Sequence, residues 1–287
     1  MLKERIFSAI ILIITVLVAL LLFSPFYFAL CVGAIVTLAV WEWTQFVQVK
    51  TGIFRFLISG LVGAFLFLWL FGDIQYLNAG RVFIDYAQPL LLASIIWWSI
   101  AFLFVITYPR TAKIWNKSVI LQIVFAFLTL IPFLIGVLHL RLDNYTEDHY
   151  HGVLLLLYVC ILVWSADSGA YFVGRQFGKH KLAPKVSPGK TWQGAIGGLV
   201  TAGIIATIFI QFTSETLFSI STSSFILLSI FTVAISILGD LTESMFKREA
   251  GIKDSSQLIP GHGGVLDRID SLVAAIPFFT YFYFYVF

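Results

Sequence analysis

Apolar runs of about 20 residues recur along the whole chain, each long enough to cross a hydrocarbon core of roughly 30 Å as a helix. No other feature constrains the fold as tightly. Backbone polar groups inside lipid must be satisfied within the protein, so only helices and closed barrels span. A barrel would show short alternating segments, and these runs do not alternate. Composition agrees: 11% of residues are charged, against about 25% in soluble domains. The expectation is an all-α polytopic integral membrane protein with about nine transmembrane helices. The spans fall near 6–23, 26–48, 54–72, 88–108, 119–138, 153–175, 193–212, 224–246 and 264–287. Lys3 and Arg5 precede the first run, but that run is too long for a signal-peptide core. No small-residue cleavage pattern follows it, so it reads as an uncleaved helix.

Nine spans divide the connections into two sets. All of the 18 Lys and Arg residues except Arg81 and Arg141 fall on the side of the N-terminus, from Lys3, Arg5 and Lys50 through to Arg268. Cytoplasmic loops carry the basic excess, which predicts a cytoplasmic N-terminus and a C-terminus on the opposite side. No nucleic-acid partner is expected. Cys31 and Cys160 lie far apart inside apolar runs and suggest neither a disulfide framework nor a thiolate site. His149 and His151, beside Glu147 and Asp148 on the far side, read as a solvated loop in preference to a weak metal site. Polar residues are scarce in the first five spans. Glu42, between Trp41 and Trp43, is the exception and reads as structural, either a buried partner for a basic group or an interfacial residue. Trp97 and Trp98 fit interfacial anchoring or helix packing. Residues 1–150 are therefore expected to be a hydrophobic transmembrane scaffold, and 151–287 a catalytic transmembrane region with a cytoplasm-facing polar cavity.

The second region carries the chemistry. Asp240, Glu243, Ser244 and Lys247 stand at i, i+3, i+4 and i+7 in the eighth span and share one helical face. An Asp or Lys at a helix centre costs about 2.5–3.5 kcal/mol on the insertion scale. Such a stripe is expected to line a cavity, bind an ion or pair across the bundle. Asp267, Asp270 and Ser271 repeat the pattern at the start of the ninth span, with Arg268 about 100° away. Carboxylates brought together from two helices repel one another and call for a cation, and hard oxygen ligands favour Mg²⁺. Asp167 in the sixth span, with Tyr171 and Arg175 on its side, reads as lining the same cavity, pairing with a basic residue being the alternative.

Between those spans lies Pro260-Gly-His-Gly-Gly264, a turn that opens the next helix. Its glycines permit positive φ and close approach, and the helix start offers free N–H groups, a natural phosphate cradle. Lys247, Arg248, Lys253 and Arg268 add charge around Gly263 and Gly264. His262 either donates to a phosphate oxygen or fixes the turn. The loop Val186–Gly194 contains Gly-Lys-Thr, but a nucleoside-triphosphatase loop needs Gly at position 184, which is Pro. Ser187, Lys190 and Thr191 still sit at a helix N-terminus behind Lys179, Lys181 and Lys185. They are expected to hold a triphosphate or an anionic lipid headgroup, a plain positive-inside loop being the alternative.

The spaced run S-x-F-K-R-x₄-K-D-x-S-x₂-I-P-x-H-G-G-V-x-D-R-I-D, from Ser244 to Asp270, resembles the signature of the phosphatidate cytidylyltransferases, or CDP-diacylglycerol synthases. The segments SPGKTWQG and GDLTES are similar to that family too, so the strong likeness covers roughly residues 160–287. It implies transfer of a cytidylyl group from CTP to phosphatidic acid, giving CDP-diacylglycerol and pyrophosphate for phospholipid biosynthesis. It also implies Mg²⁺ on Asp240, Asp267 and Asp270, a second cation such as K⁺ in some members, a multi-pass place in the cell (inner) membrane and a homodimer. In that reading Lys247, Lys253 and Arg268 stabilise phosphate charge, while Ser187, Lys190 and Thr191 hold the nucleotide triphosphate or the lipid phosphate. Two rivals remain: a cation-coupled transporter, and a CTP-dependent lipid or prenol kinase.

Overall fold

The computed structural model describes residues 2–47, 51–81, 84–213 and 220–287, without the side chains of 2–9, 84 and 85. The side chains of Lys3 and Arg5, and all of Lys50, therefore lie outside the described residues. The elements in order are α1 (Leu2–Leu22), α2 (Pro25–Trp43), α3 (Gly52–Gly72), α4 (Ile74–Asn78), α5 (Ile84–Thr107), α6 (Ala112–Trp115) and α7 (Val119–Arg141). They continue with α8 (His151–Phe177), β1 (Lys181–Ala183), β2 (Ser187–Thr191), α9 (Trp192–Phe212), α10 (Thr222–Ala250), α11 (Leu266–Ile269) and α12 (Leu272–Tyr285).

The chain is a polytopic helical membrane protein. Among the described residues seven helices are long and apolar enough to cross a bilayer, namely α2, α3, α5, α7, α8, α9 and α10, with shorter apolar helices over Ile10–Leu22 and Leu272–Tyr285. The pattern of exposure fits lipid as the solvent. Ile53, Phe54, Phe56, Leu61, Phe65 and Leu68 of α3 all face outward, whereas the buried side chains of α10 include Ser229, Thr232, Ser236 and Thr242.

Three local features differ from the expected spans. The all-helical expectation is corrected by a short antiparallel hairpin, with Lys181 opposite Thr191 and Ala183 opposite Ser187, and Pro184–Val186 as its turn. The prolines at 184 and 188 disfavour helix there. The ninth span is divided into α11 and α12, although Asp270 (φ −53°, ψ −39°) and Ser271 (φ −74°, ψ −39°) keep right-handed helical backbone between them. Finally, α10 runs 29 residues, past the apolar stretch, because Gly251 ends it only at a left-handed position (φ 69°, ψ 23°).

The basic end of the bundle is fastened by aromatic packing. Phe246 of α10 lies 5.2 Å from Trp43, stacks on Phe46 at 5.8 Å and meets Trp115 edge-on at 4.9 Å. Trp97 and Trp98 are also buried, Trp97 stacking on Phe125 at 4.3 Å, so these tryptophans serve helix packing. Cys31 and Cys160 are free thiols. At the far end His151 Nε2 sits 3.0 Å from Asp143, whose carboxyl burial pushes above the usual range, and His149 packs on Tyr145.

Candidate active site

Helices α8, α10 and α11 and one hairpin bring the charged residues together. On α10, Asp240, Glu243, Ser244 and Lys247 do share one face: Ser244 Oγ donates to Asp240 Oδ1 at 3.3 Å, and Lys247 Nζ donates to Glu243 Oε2 at 2.8 Å. Lys247 also reaches Asp267 Oδ1 at 2.7 Å. Glu243 and Asp267 are buried, with side-chain exposures of 5% and 6%, and Lys247 between them is half-buried at 13%. From the hairpin, Lys190 Nζ contacts Asp240 Oδ2 at 2.7 Å. Asp167 on α8 faces the charges of Lys190 and Asp240. Asp270 faces Asp240, Lys247, Lys190 and Glu243. Five carboxylates thus surround two ammonium groups at the basic end of α10.

The glycine-rich turn does something other than the sequence suggests. Gly264 N donates to Asp267 Oδ2 at 2.8 Å, Val265 N to Glu42 Oε1 at 2.8 Å and Leu266 N to Glu42 Oε2 at 2.6 Å. The expectation that this helix start offers free N–H groups to a phosphate is therefore corrected. The chain's own carboxylates already take those donors, because an internal anion satisfies them without a ligand. Gly263 adopts φ +86°, which L side chains avoid, and a Cβ on Gly264 would collide with Ser255 Oγ and with the Glu42 carboxylate. His262 is half-buried, and its backbone N–H donates to Ile259 O at 2.9 Å within the turn.

Thr191 likewise has a structural task. It is buried, and its hydroxyl caps α9 by accepting from Gly194 N at 3.1 Å. Ser187 lies in the hairpin ladder opposite Ala183. Arg248, Lys253 and Arg268 are exposed and stand outside the buried cluster, Arg248 Nε donating to Val186 O at 3.2 Å.

Glu42, which the sequence presents as structural, is fully buried against the turn. An acid flanked by tryptophans in an otherwise apolar span was the available signal.

Beside the charged cluster lies an apolar cavity of about 940 Å³. It is walled by α5, α9, α10 and the hairpin turn Pro184–Val186, with Lys185 and Tyr108 among its lining residues. Burial and the neighbouring Glu249 carboxylate push the Tyr108 phenol up to about 12, so it stays neutral across the physiological range. Leu241, adjacent in sequence to Asp240, lines the same cavity. The charged cluster and the cavity therefore share α10 and the hairpin.

Among the described residues no three His, Cys, Asp or Glu side chains are gathered closely enough to hold a metal ion as they stand. The donor set nevertheless suits a hard cation. It is all oxygen, it carries more negative charge than the two lysines neutralise, and buried Glu243 Oε1 has no hydrogen-bond partner.

Fold and site define a helical integral membrane protein whose polar chemistry sits at one end of the bundle, next to a space suited to hydrocarbon. The chain belongs to the cytidylyltransferase family, whose sequence model matches residues 3–286. It is 63% identical to phosphatidate cytidylyltransferase of Haemophilus influenzae over 287 residues, the whole of both chains. It is 40% identical to the enzyme of that name from Pseudomonas aeruginosa over 280 residues, covering 98% of this chain and 96% of that one. The Bacillus subtilis phosphatidate cytidylyltransferase is 43% identical over 153 residues, about half of each chain.

Proposed function

We propose that this chain is a CTP:phosphatidate cytidylyltransferase of the cell (inner) membrane, with nine spans, a cytoplasmic N-terminus and a cytoplasm-facing site, working as a homodimer. The observation that carries the reading is the junction of a partly buried carboxylate–lysine cluster with an apolar cavity across one helix and one hairpin. Such a junction suits a reaction between a water-soluble polyanion and a lipid.

In this reaction a phosphate oxygen of phosphatidic acid attacks the α-phosphorus of CTP. A new P–O bond forms, the α–β anhydride bond breaks and pyrophosphate leaves with its electron pair. The nucleophile is already an anion at neutral pH, so the protein's work is orientation and electrostatic stabilisation. Lys190 on the hairpin and Lys247 on α10 present ammonium groups from two sides of the cluster. Exposed Lys253, Arg248 and Arg268 add positive charge outside it and draw in the triphosphate. The cavity beside Leu241 and Lys185 takes the acyl end of the lipid. Asp240, Asp267 and Asp270 would hold Mg²⁺, alone or with a second cation such as K⁺, and the bound ion would supply positive charge against the phosphates of the triphosphate and of pyrophosphate. What supports that ligand set is its surplus negative charge and the orphaned Glu243 oxygen beside it.

The test uses purified protein, CTP labelled in its α-phosphate, phosphatidic acid and Mg²⁺. Label entering the lipid, with stoichiometric pyrophosphate, is the expected result. Label retained in CDP would mean a kinase, and no turnover with any lipid would point to a transporter. Asp267→Asn is expected to abolish turnover while leaving the protein extractable and folded. Near-normal turnover would remove Asp267 from the cation site.

A further inference from the structure

Glu42 stands in α2, far in sequence from every residue discussed as binding substrate or cation, and it is fully buried. Its carboxylate accepts four hydrogen bonds from the turn: Ser256 Oγ at 2.6 Å and Val265 N at 2.8 Å on Oε1, Ser255 Oγ at 3.1 Å and Leu266 N at 2.6 Å on Oε2. Ser255 is the hinge of the arrangement. Its hydroxyl also lies 3.0 Å from Asp267 Oδ2, and its N–H donates to that oxygen at 2.9 Å. One hydroxyl hydrogen is thus shared between two carboxylates. Asp267 in turn holds Lys247, which holds Glu243. A continuous polar chain therefore runs from α2 to the α10 face.

We infer that Glu42 is a positioning residue for the transfer reaction: from α2 it fixes the turn 254–266 and thereby sets the direction of Asp267 and Lys247. The role rests on the cytidylyltransferase reading above. Four donors converge on the two Glu42 oxygens, and only a carboxylate accepts at both. Glu42→Gln would turn an amide N–H₂ toward N–H and O–H donors already at hydrogen-bond distance. The Glu42 backbone itself is fixed independently of the turn: Trp43, its neighbour, donates Nε1–H to Gln122 O at 3.2 Å and packs on Phe246. The substitution should therefore loosen the turn, leaving the bundle in place. Gln45, three residues on, adds a side-chain contact to Ser255 O and shows the same face of the chain reaching the same loop.

The experiment compares wild type, Glu42→Gln and Ser256→Ala in detergent micelles, measuring kcat and KM for CTP and phosphatidic acid together with amide hydrogen exchange. Displaced supporting groups typically cost about 10- to 100-fold. Glu42→Gln is expected to lower kcat by about 100-fold, with both KM values within about threefold. Exchange should quicken in residues 254–266 and stay unchanged in α10 and α12. Ser256→Ala, which removes one Glu42 bond and none to Asp267, should cost kcat about tenfold. Glu42→Gln turnover within about threefold of wild type would overturn the inference. So would exchange quickening across the whole bundle in step with the activity loss. Should Glu42→Gln fail to fold, wild-type kcat in Ser256→Ala overturns it instead. A wild-type protein that does not convert CTP and phosphatidic acid counts against the reaction itself, while the local exchange change still reports on the turn.

Discussion

At the scale of single residues the Lys247 ammonium is the balance point. It is held between the buried carboxylates of Glu243 and Asp267 at 2.8 and 2.7 Å. Breaking a buried pair by deleting one partner costs about 3–5 kcal/mol, because the remaining charge has no compensation. Lys247→Met leaves two such carboxylates, so its apparent Tm in detergent should fall well below that of wild type and turnover should vanish. Adding Glu243→Leu removes one stranded charge and should recover part of the Tm without recovering turnover. An unchanged Tm in the single variant would show that the triad is not held as described. Within one helix such a cluster is readable from sequence, since Asp240, Glu243 and Lys247 follow helical spacing. Glu42 was not readable as a site residue. Its four donors lie 213 to 224 residues away, and no periodicity in α2 encodes partners that only the tertiary fold delivers.

At the scale of elements the deciding contact is between α10 and the start of α12. A Cβ on Gly239 would strike the Asp270 carbonyl oxygen and lie 2.9 Å from Ala274 Cβ. Glycine inside a helix normally costs about 0.5–1 kcal/mol relative to alanine. Here overpacking, at about 1–3 kcal/mol, outweighs that gain. Gly239→Ala is therefore expected to lower the apparent Tm and to reduce turnover about tenfold, as it pries Asp240 from Asp270. Gly203→Ala on α9 is the control: its nearest neighbour is Ile230 Cδ1 at 3.9 Å, and its Tm should hold or rise. A rise in both variants would mean that α10 and α12 have slack between them. Hydrophobic run length located the long helices because satisfying the backbone in lipid is a local requirement. The hairpin at 181–191 and the close α10–α12 approach depend on contacts between segments, which run length does not register. Composition locates the glycine turn but not the acceptors of its N–H groups, which are Glu42 and Asp267.

At the scale of the whole molecule the question is which end of the bundle faces which compartment. Helical backbone carried from Leu266 through Asp270 and Ser271 to Tyr285 spans roughly 30 Å at 1.5 Å per residue, enough to cross. In the proposed topology α1 (Leu2–Leu22) is counted likewise, which would give nine crossings and put the basic loops on the side of the N-terminus. The far connections would then carry only Arg81 and Arg141, and Arg141 is buried with its Nε bonded to Leu20 O at 3.1 Å. Single cysteines in a Cys31→Ala, Cys160→Ala background test this arrangement. Thr51→Cys, Lys117→Cys and Lys253→Cys should react with a membrane-impermeant maleimide only in inverted membranes. Ser24→Cys, Glu147→Cys and a cysteine appended after Phe287 should react in intact spheroplasts. Each of the five replaced residues outside the C-terminus is exposed. If Ser24→Cys reacts from the inner side, α1 does not cross. If the appended cysteine does so, α11 and α12 return to the side they began on. If Lys253→Cys reacts from outside, the carboxylate–lysine cluster opens away from the cytoplasmic CTP, and the proposed reaction loses its access to the nucleotide.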